Sequence, residues 1–156
     1  MMTMTQLNIA AIKTAPRQRE RSMLRIVLGV IAGFFAWLVV WFGSEKILAA
    51  IWPEFGVHQK AFEEVIKNGG QFTADTTMLL THIVVGSIIA VGSGSLAALI
   101  AGENARAPLV VGCLLLAMGI LKAVMSWRYV PIWYHVIFTA ILLPMAIIGG
   151  KLITKT

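Results

Sequence analysis

Four stretches of this chain contain no Asp, Glu, Lys or Arg: residues 26–44, 76–102, 107–121 and 129–150. A surface helix in water needs a polar face, and these stretches supply none. A helix crossing the hydrocarbon core of a bilayer needs about 20 mainly apolar residues. The first, second and fourth stretches meet that length; the third reaches it only with Lys122 counted inside. Composition agrees. The 156 residues are 58% hydrophobic and 13% charged, with a mean hydropathy of +0.84, where soluble domains are nearer half apolar and a quarter charged. The expected fold is an all-α integral membrane protein, an up-down bundle of four transmembrane helices. The spans are placed at about 24–44, 76–101, 107–127 and 131–150, within a domain covering 23–152. A basic cytoplasmic tail, 1–22, precedes it and a short cytoplasmic C-terminus, 153–156, follows.

The arginines at 17, 19, 21 and 25 stand before an apolar run, as in a signal peptide. A cleavable signal has an apolar core of about 7–15 residues; this one is longer, and Glu45, Lys46 and further apolar sequence follow it. It reads as an uncleaved first span. Orientation follows from the basic residues in short flanking segments. Lys13, Arg17, Arg19, Arg21, Arg25, Arg106, Lys151 and Lys155 fall on one side. Lys46, Lys60, Lys67, Arg128 and Lys122 fall on the other, with the acids Glu45, Glu54, Glu63, Glu64 and Asp75. Both termini are therefore expected in the cytoplasm, with the basic tail against anionic headgroups. The tail lacks interleaved aromatics and a fold to present it, so nucleic acid is not expected as a partner. The lone Cys113 lies mid-span and reads as a small apolar packing residue.

Small residues mark expected helix contacts. Gly29 and Gly33 stand four apart in the first span, and Gly86, Ala90, Gly94 and Ala98 form a ridge along the second. In lipid, close van der Waals approach replaces the hydrophobic drive between helices. The ridge is expected to pack inside the chain, with Ser95 one position off it, and the Gly29/Gly33 face to stay free for a partner or a second copy. Trp41 and Trp52 suit an interfacial aromatic belt. "SEKILAAIWPEF" should extend the first helix along the interface to Pro53. "HQKAFEEVIKNGG" carries Phe62, Val65 and Ile66 at helical spacing, a Glu63–Lys67 pair and a glycine stop. It is expected to be a short amphipathic helix capping the bundle. Pro108 and Pro131 fit helix starts, whereas Pro144 should kink the fourth span.

The turn "ILKAVMSWRYVPIWYHVIF", residues 120–138, supplies Trp127, Tyr129, Trp133 and Tyr134 to the belt and a solvated Arg128. Lys122 and His135 lie about four residues inside their spans, roughly 6 Å deep at 1.5 Å per residue. His82 is at comparable depth in the second span, and Glu45 closes the first. One polar layer, Glu45, His82, Lys122 and His135, is thus offered by four helices. Ionisable groups inside membranes usually face the interior and mark function. Three readings stay open: a structural hydrogen-bonded layer, a binding or proton-handling site, or a metal or haem site with His82 and His135 as axial ligands. No metal is expected, and no cofactor beyond that haem alternative. Nucleotide-binding, hydrolase and metalloprotease motifs are absent from the sequence, as are paired carboxylates within a span.

"RIVLGVIAGFFAWLVVWFGSEKILAAIWP", "VPIWYH" and "LLPMAIIGGKL" together resemble a group of small, uncharacterised bacterial four-span membrane proteins. In these a W-Y-H near the last span and a closing G-G-K/R recur. The resemblance covers about residues 23–152. It implies a multi-pass protein of the bacterial inner membrane, no assigned chemistry, and weight on Trp133, Tyr134, His135, Gly149 and Gly150. The function expected is non-enzymatic: an accessory or assembly component of a membrane complex, or a homo-oligomer. The alternative is a small transport or redox protein using the polar layer.

Overall fold

The structure is a computed structural model that describes residues 4–102 and 104–154, with side chains from residue 20 onward except residue 21. The tail cations Lys13, Arg17, Arg19 and Arg21, and Lys155 at the other terminus, lie outside the described side chains. Five helices account for the described chain: α1 Met4–Ile51, α2 Pro53–Asn68, α3 Thr76–Ile100, α4 Arg106–Ser126 and α5 Ile132–Thr154. Among the described residues there is no strand. Four helical segments are long and apolar enough to cross a membrane: Ser22–Ile51, Thr76–Ile100, Arg106–Ser126 and Ile132–Thr154. This is a multi-pass, all-α membrane fold.

Local chemistry sets the helix ends. Pro53 bars the helical conformation from the residue before it, and Trp52 accordingly sits at φ −132°, ψ 88° between α1 and α2. Gly69 and Gly70 take φ values of +73° and +131° after α2, a conformation that favours glycine. Asp75 caps α3, its side chain accepting the Met78 N–H at 3.0 Å. Asn104 accepts the Arg106 N–H at 2.9 Å ahead of α4. α5 starts just after Pro131 and is continuous across Pro144. α1 runs on through Glu45 to Ile51, the helical extension toward Pro53 expected from the sequence.

α3 packs against α1, α4 and α5, and it is the most buried span, 44% against 22–28% for the others. Its small residues explain this. A Cβ on Gly94 would strike the backbone of Ala146 in α5, and one on Gly149 would strike Val91 and Ser95 in α3. Ser95 Oγ donates to the Gly149 carbonyl at 2.9 Å, so Ser95 belongs to this crossing rather than standing beside it. Ala90 and Ala98 are fully buried. On an adjoining face of α3, Gly29 faces Ala97 and Ala101, and Gly33 faces Ser93 and Ala97. Ser93 Oγ donates to the Gly33 carbonyl at 2.7 Å. The Gly29/Gly33 face is therefore consumed inside the chain, which corrects the expectation of a free face: its nearest small-residue partner is α3 itself.

Consecutive spans run antiparallel. The α3–α4 connection shares one end of the bundle with the start of the α1 span, where Arg25 approaches Gly102. The other end carries α2 and the α4–α5 turn, and everything of chemical interest gathers there.

Candidate functional site

At the α2 end the four spans part around a cavity of about 340 Å³. Its wall is mostly aromatic and aliphatic. Trp37 and Trp41 come from α1, Met118 and Met125 from α4, Tyr134 and Phe138 from α5, and Phe62 and Ile66 from α2, which lies over it. Helical spacing lines each set up: Trp37, Trp41 and Glu45 recur every four residues on one face of α1, and Tyr134 and Phe138 do so on α5. Trp37 and Trp41 stack with centroids 5.6 Å apart, and Tyr134 and Phe138 stack at 5.4 Å. Trp41 meets Phe138 at 5.6 Å. Gly86 makes that meeting possible, since a Cβ there would lie 2.9 Å from Phe138 and 3.2 Å from Trp41. One glycine of the α3 ridge thus shapes the site.

Three of the four expected polar-layer residues converge on this cavity. Glu45 Oε2 accepts a hydrogen bond from Gln59 Nε2 of α2 at 2.9 Å. His82 Nδ1 lies 2.8 Å from the Met78 carbonyl oxygen. A carbonyl only accepts, so Nδ1 carries the proton and Nε2 of the neutral ring is left as an acceptor. That Nε2 lies 3.8 Å from Glu45 Oε1, beyond hydrogen-bond distance. Lys122 Nζ sits 4.7 Å from the Trp41 ring centroid and 5.3 Å from that of Phe138. Among the described residues Glu45 is its opposite charge, yet the nitrogen that comes within 4 Å of that carboxylate is Nε2 of the neutral His82, not Lys122 Nζ. Lys122 and Glu45 both line the cavity and form no salt bridge with each other.

His135 is the exception. It is buried, at 5% exposure, but its ring stacks on Trp127 at 5.6 Å and 12°, and it does not line the cavity that His82 lines. Its Nε2 has no hydrogen-bond partner, and neither does Thr139 Oγ1 one turn on along the same helix. The reason is helical phase: one residue from Tyr134, the side chain is swung about 100° away. The four-residue layer is therefore a cluster of three plus a separate histidine. Among the described residues no three His, Cys, Asp or Glu side chains gather to hold a metal ion.

Several site residues were not singled out from the sequence. Trp41 was assigned to the interfacial belt, but it is buried at 6% exposure because α1 continues ten residues beyond it. The four-residue spacing of Trp37, Trp41 and Glu45 was the available signal. Gln59 and Phe55 sit on α2, where Phe55 is 1% exposed against the His82 ring at 5.1 Å. His58 Nε2 accepts the Asp75 N–H at 3.1 Å and its ring meets Phe72 at 4.8 Å, which fastens α2 to the start of α3.

No family model matches the chain, and neither a curated protein nor a solved structure shows significant similarity to it.

Proposed function

We propose that this is a non-enzymatic multi-pass membrane protein that binds a small, largely apolar molecule in the cavity beneath α2, as a carrier or transport-type component. One observation carries the reading: an aromatic-walled space of about 340 Å³ into which three spans direct a carboxylate, an imidazole and an ammonium. Concave, mostly apolar spaces with a few convergent polar groups are the usual form of small-molecule sites. A purely structural layer would pair its charges, whereas here Lys122 and Glu45 are left apart. The basic residues flanking the spans further support both termini facing the cytoplasm of a bacterial inner membrane, which puts the cavity at the periplasmic side.

The accessory role expected from the sequence had the Gly29/Gly33 face as its contact surface. Those glycines pack on α3, so an accessory component would need another contact surface. Native mass spectrometry on protein extracted in mild detergent separates the two. A carrier retains one co-purified lipophilic molecule per chain and loses it in Met118→Trp, which fills the cavity. An accessory component shows instead a fixed oligomeric mass and no retained small molecule.

A further inference from the structure

The cavity has two rims of different chemistry. Phe42, Leu121 and Met125 line it and are nevertheless 58%, 53% and 61% exposed on the outer surface of the bundle. They belong to the apolar spans of α1 and α4, so at this rim the cavity meets hydrocarbon. Lower down the same seam is shut, where a Cβ on Gly33 would lie 3.3 Å from Val111. The second rim is the polar face of α2, where the exposed Glu63 stands. An amphipathic molecule dissolved in the bilayer fits the first rim with its chain and the polar interior with its head.

The polar groups restrict the head. Lys122 has three N–H donors and is held over two rings without a hydrogen bond among the described residues. His82 Nε2 and Glu45 Oε1 offer acceptors on the facing side. A cationic head would be drawn to Glu45 and Glu63 but would find the faces of Trp41 and Phe138 already occupied by Lys122. An anionic head would have that one lysine against the two carboxylates. A neutral carbonyl meets neither obstacle. The flat faces of Trp41, Tyr134 and Phe138 further suit a planar ring, since aromatic surfaces gain by offset stacking.

We propose that the cavity takes up, through the α1–α4 opening, a neutral carbonyl-bearing ring compound with an apolar chain, of quinone type. Its carbonyl accepts a hydrogen bond from Lys122, and any ring hydroxyl donates to His82 Nε2. This rests on the cavity being a small-molecule site and adds the head chemistry and the route; it is a binding event, without electron transfer. The test uses the full chain in lipid nanodiscs with three probes sharing a decyl chain: a decyl benzoquinone, decanoate and decyltrimethylammonium. The rise in unfolding temperature and the bound mass are read for each.

The quinone alone is expected to stabilise the protein, one molecule per chain. Lys122→Met should weaken it about tenfold or more, the scale of one lost charge-assisted hydrogen bond, while Lys122→Arg retains it. Met125→Trp, which narrows the α1–α4 opening one turn along α4 from Lys122, should abolish uptake and leave the unliganded unfolding temperature unchanged. Decanoate or the ammonium binding in the quinone's place overturns the head assignment while the cavity reading stands. Full quinone binding by Met125→Trp overturns the route. Failure of all three probes overturns both, and the cavity reading is then judged by the co-purified mass alone.

Discussion

Lys122 lies one turn inside α4, and the rings of Trp41 and Phe138 meet its ammonium before any carboxylate does. A desolvated cation over an aromatic face gains up to about 2 kcal/mol, so the rings partly replace the missing ion pair. Glu45 still acts at longer range. Glu45→Gln and Lys122→Met should each destabilise the protein, because each leaves a charge without its opposite in a membrane interior. The double variant should lose less than the sum, with a coupling of about 1 kcal/mol. Additive losses in thermal unfolding would show that the two charges do not sense each other across the cavity. Depth made Glu45, His82 and Lys122 legible in the sequence, since three ionisable groups at one level of an apolar bundle stand out. Direction was not legible for His135. Depth along a helix and angle around it are independent, and only packing revealed that Tyr134 and Phe138 own the cavity face while His135 turns to Trp127.

Helix contacts follow the same division. The small-residue period of α3 could be read directly, because glycine and alanine four apart have few other uses in a membrane helix. Which neighbour each face meets could not, and the two glycines of α1 turned out to serve α3. Substitutions along α3 separate a contact face from a lipid face. Gly94→Leu drives a side chain into the Ala146 backbone and should abolish folded protein in detergent. Gly92 has nothing within 4 Å of a Cβ, so Gly92→Leu should be neutral, or stabilising by up to about 1 kcal/mol through helix propensity. Similar yields and unfolding temperatures for the two would remove the α3–α5 crossing. For α2, amphipathic spacing revealed the helix but not its anchor. Phe55 is the buried residue against His82, and its truncation to alanine should cost about 3–5 kcal/mol of local packing. In Phe55→Ala, amide exchange over residues 53–68 should rise while α3 and α5 keep their protection. Unchanged exchange would mean that the Gln59–Glu45 bond and the His58–Asp75 bond hold α2 by themselves.

At the scale of the molecule, length and hydropathy sufficed for the four spans because lipid imposes the same demand on every crossing segment. The extension of the first helix toward Pro53 was legible too, and α1 runs to Ile51. Trp41, Glu45 and Lys46 resemble an interfacial boundary, and only the fold reveals that Trp41 packs inward against His82 of α3 and Phe138 of α5. The longer α1 leaves the number of crossings at four, so its two ends still emerge on opposite sides and the chain still begins and finishes on the same side. Charge then selects which side that is. By sequence the terminal side holds eight basic residues, Lys13, Arg17, Arg19, Arg21, Arg25, Arg106, Lys151 and Lys155, against Lys46, Lys60, Lys67, Lys122 and Arg128 on the α2 side, where Glu54, Glu63, Glu64 and Asp75 also lie. Basic residues within short flanking segments resist translocation, and acids contribute little. A reporter fused after Thr156 should therefore be active only as a cytoplasmic fusion, and one inserted at Asn68, the exposed last residue of α2, only as a periplasmic one. Moving Arg25 and Arg106 to glutamine should erode that preference and yield mixed orientation. A periplasmic signal after Thr156 in the unaltered chain would reverse the orientation, and with it the side from which α2 and its cavity are reached.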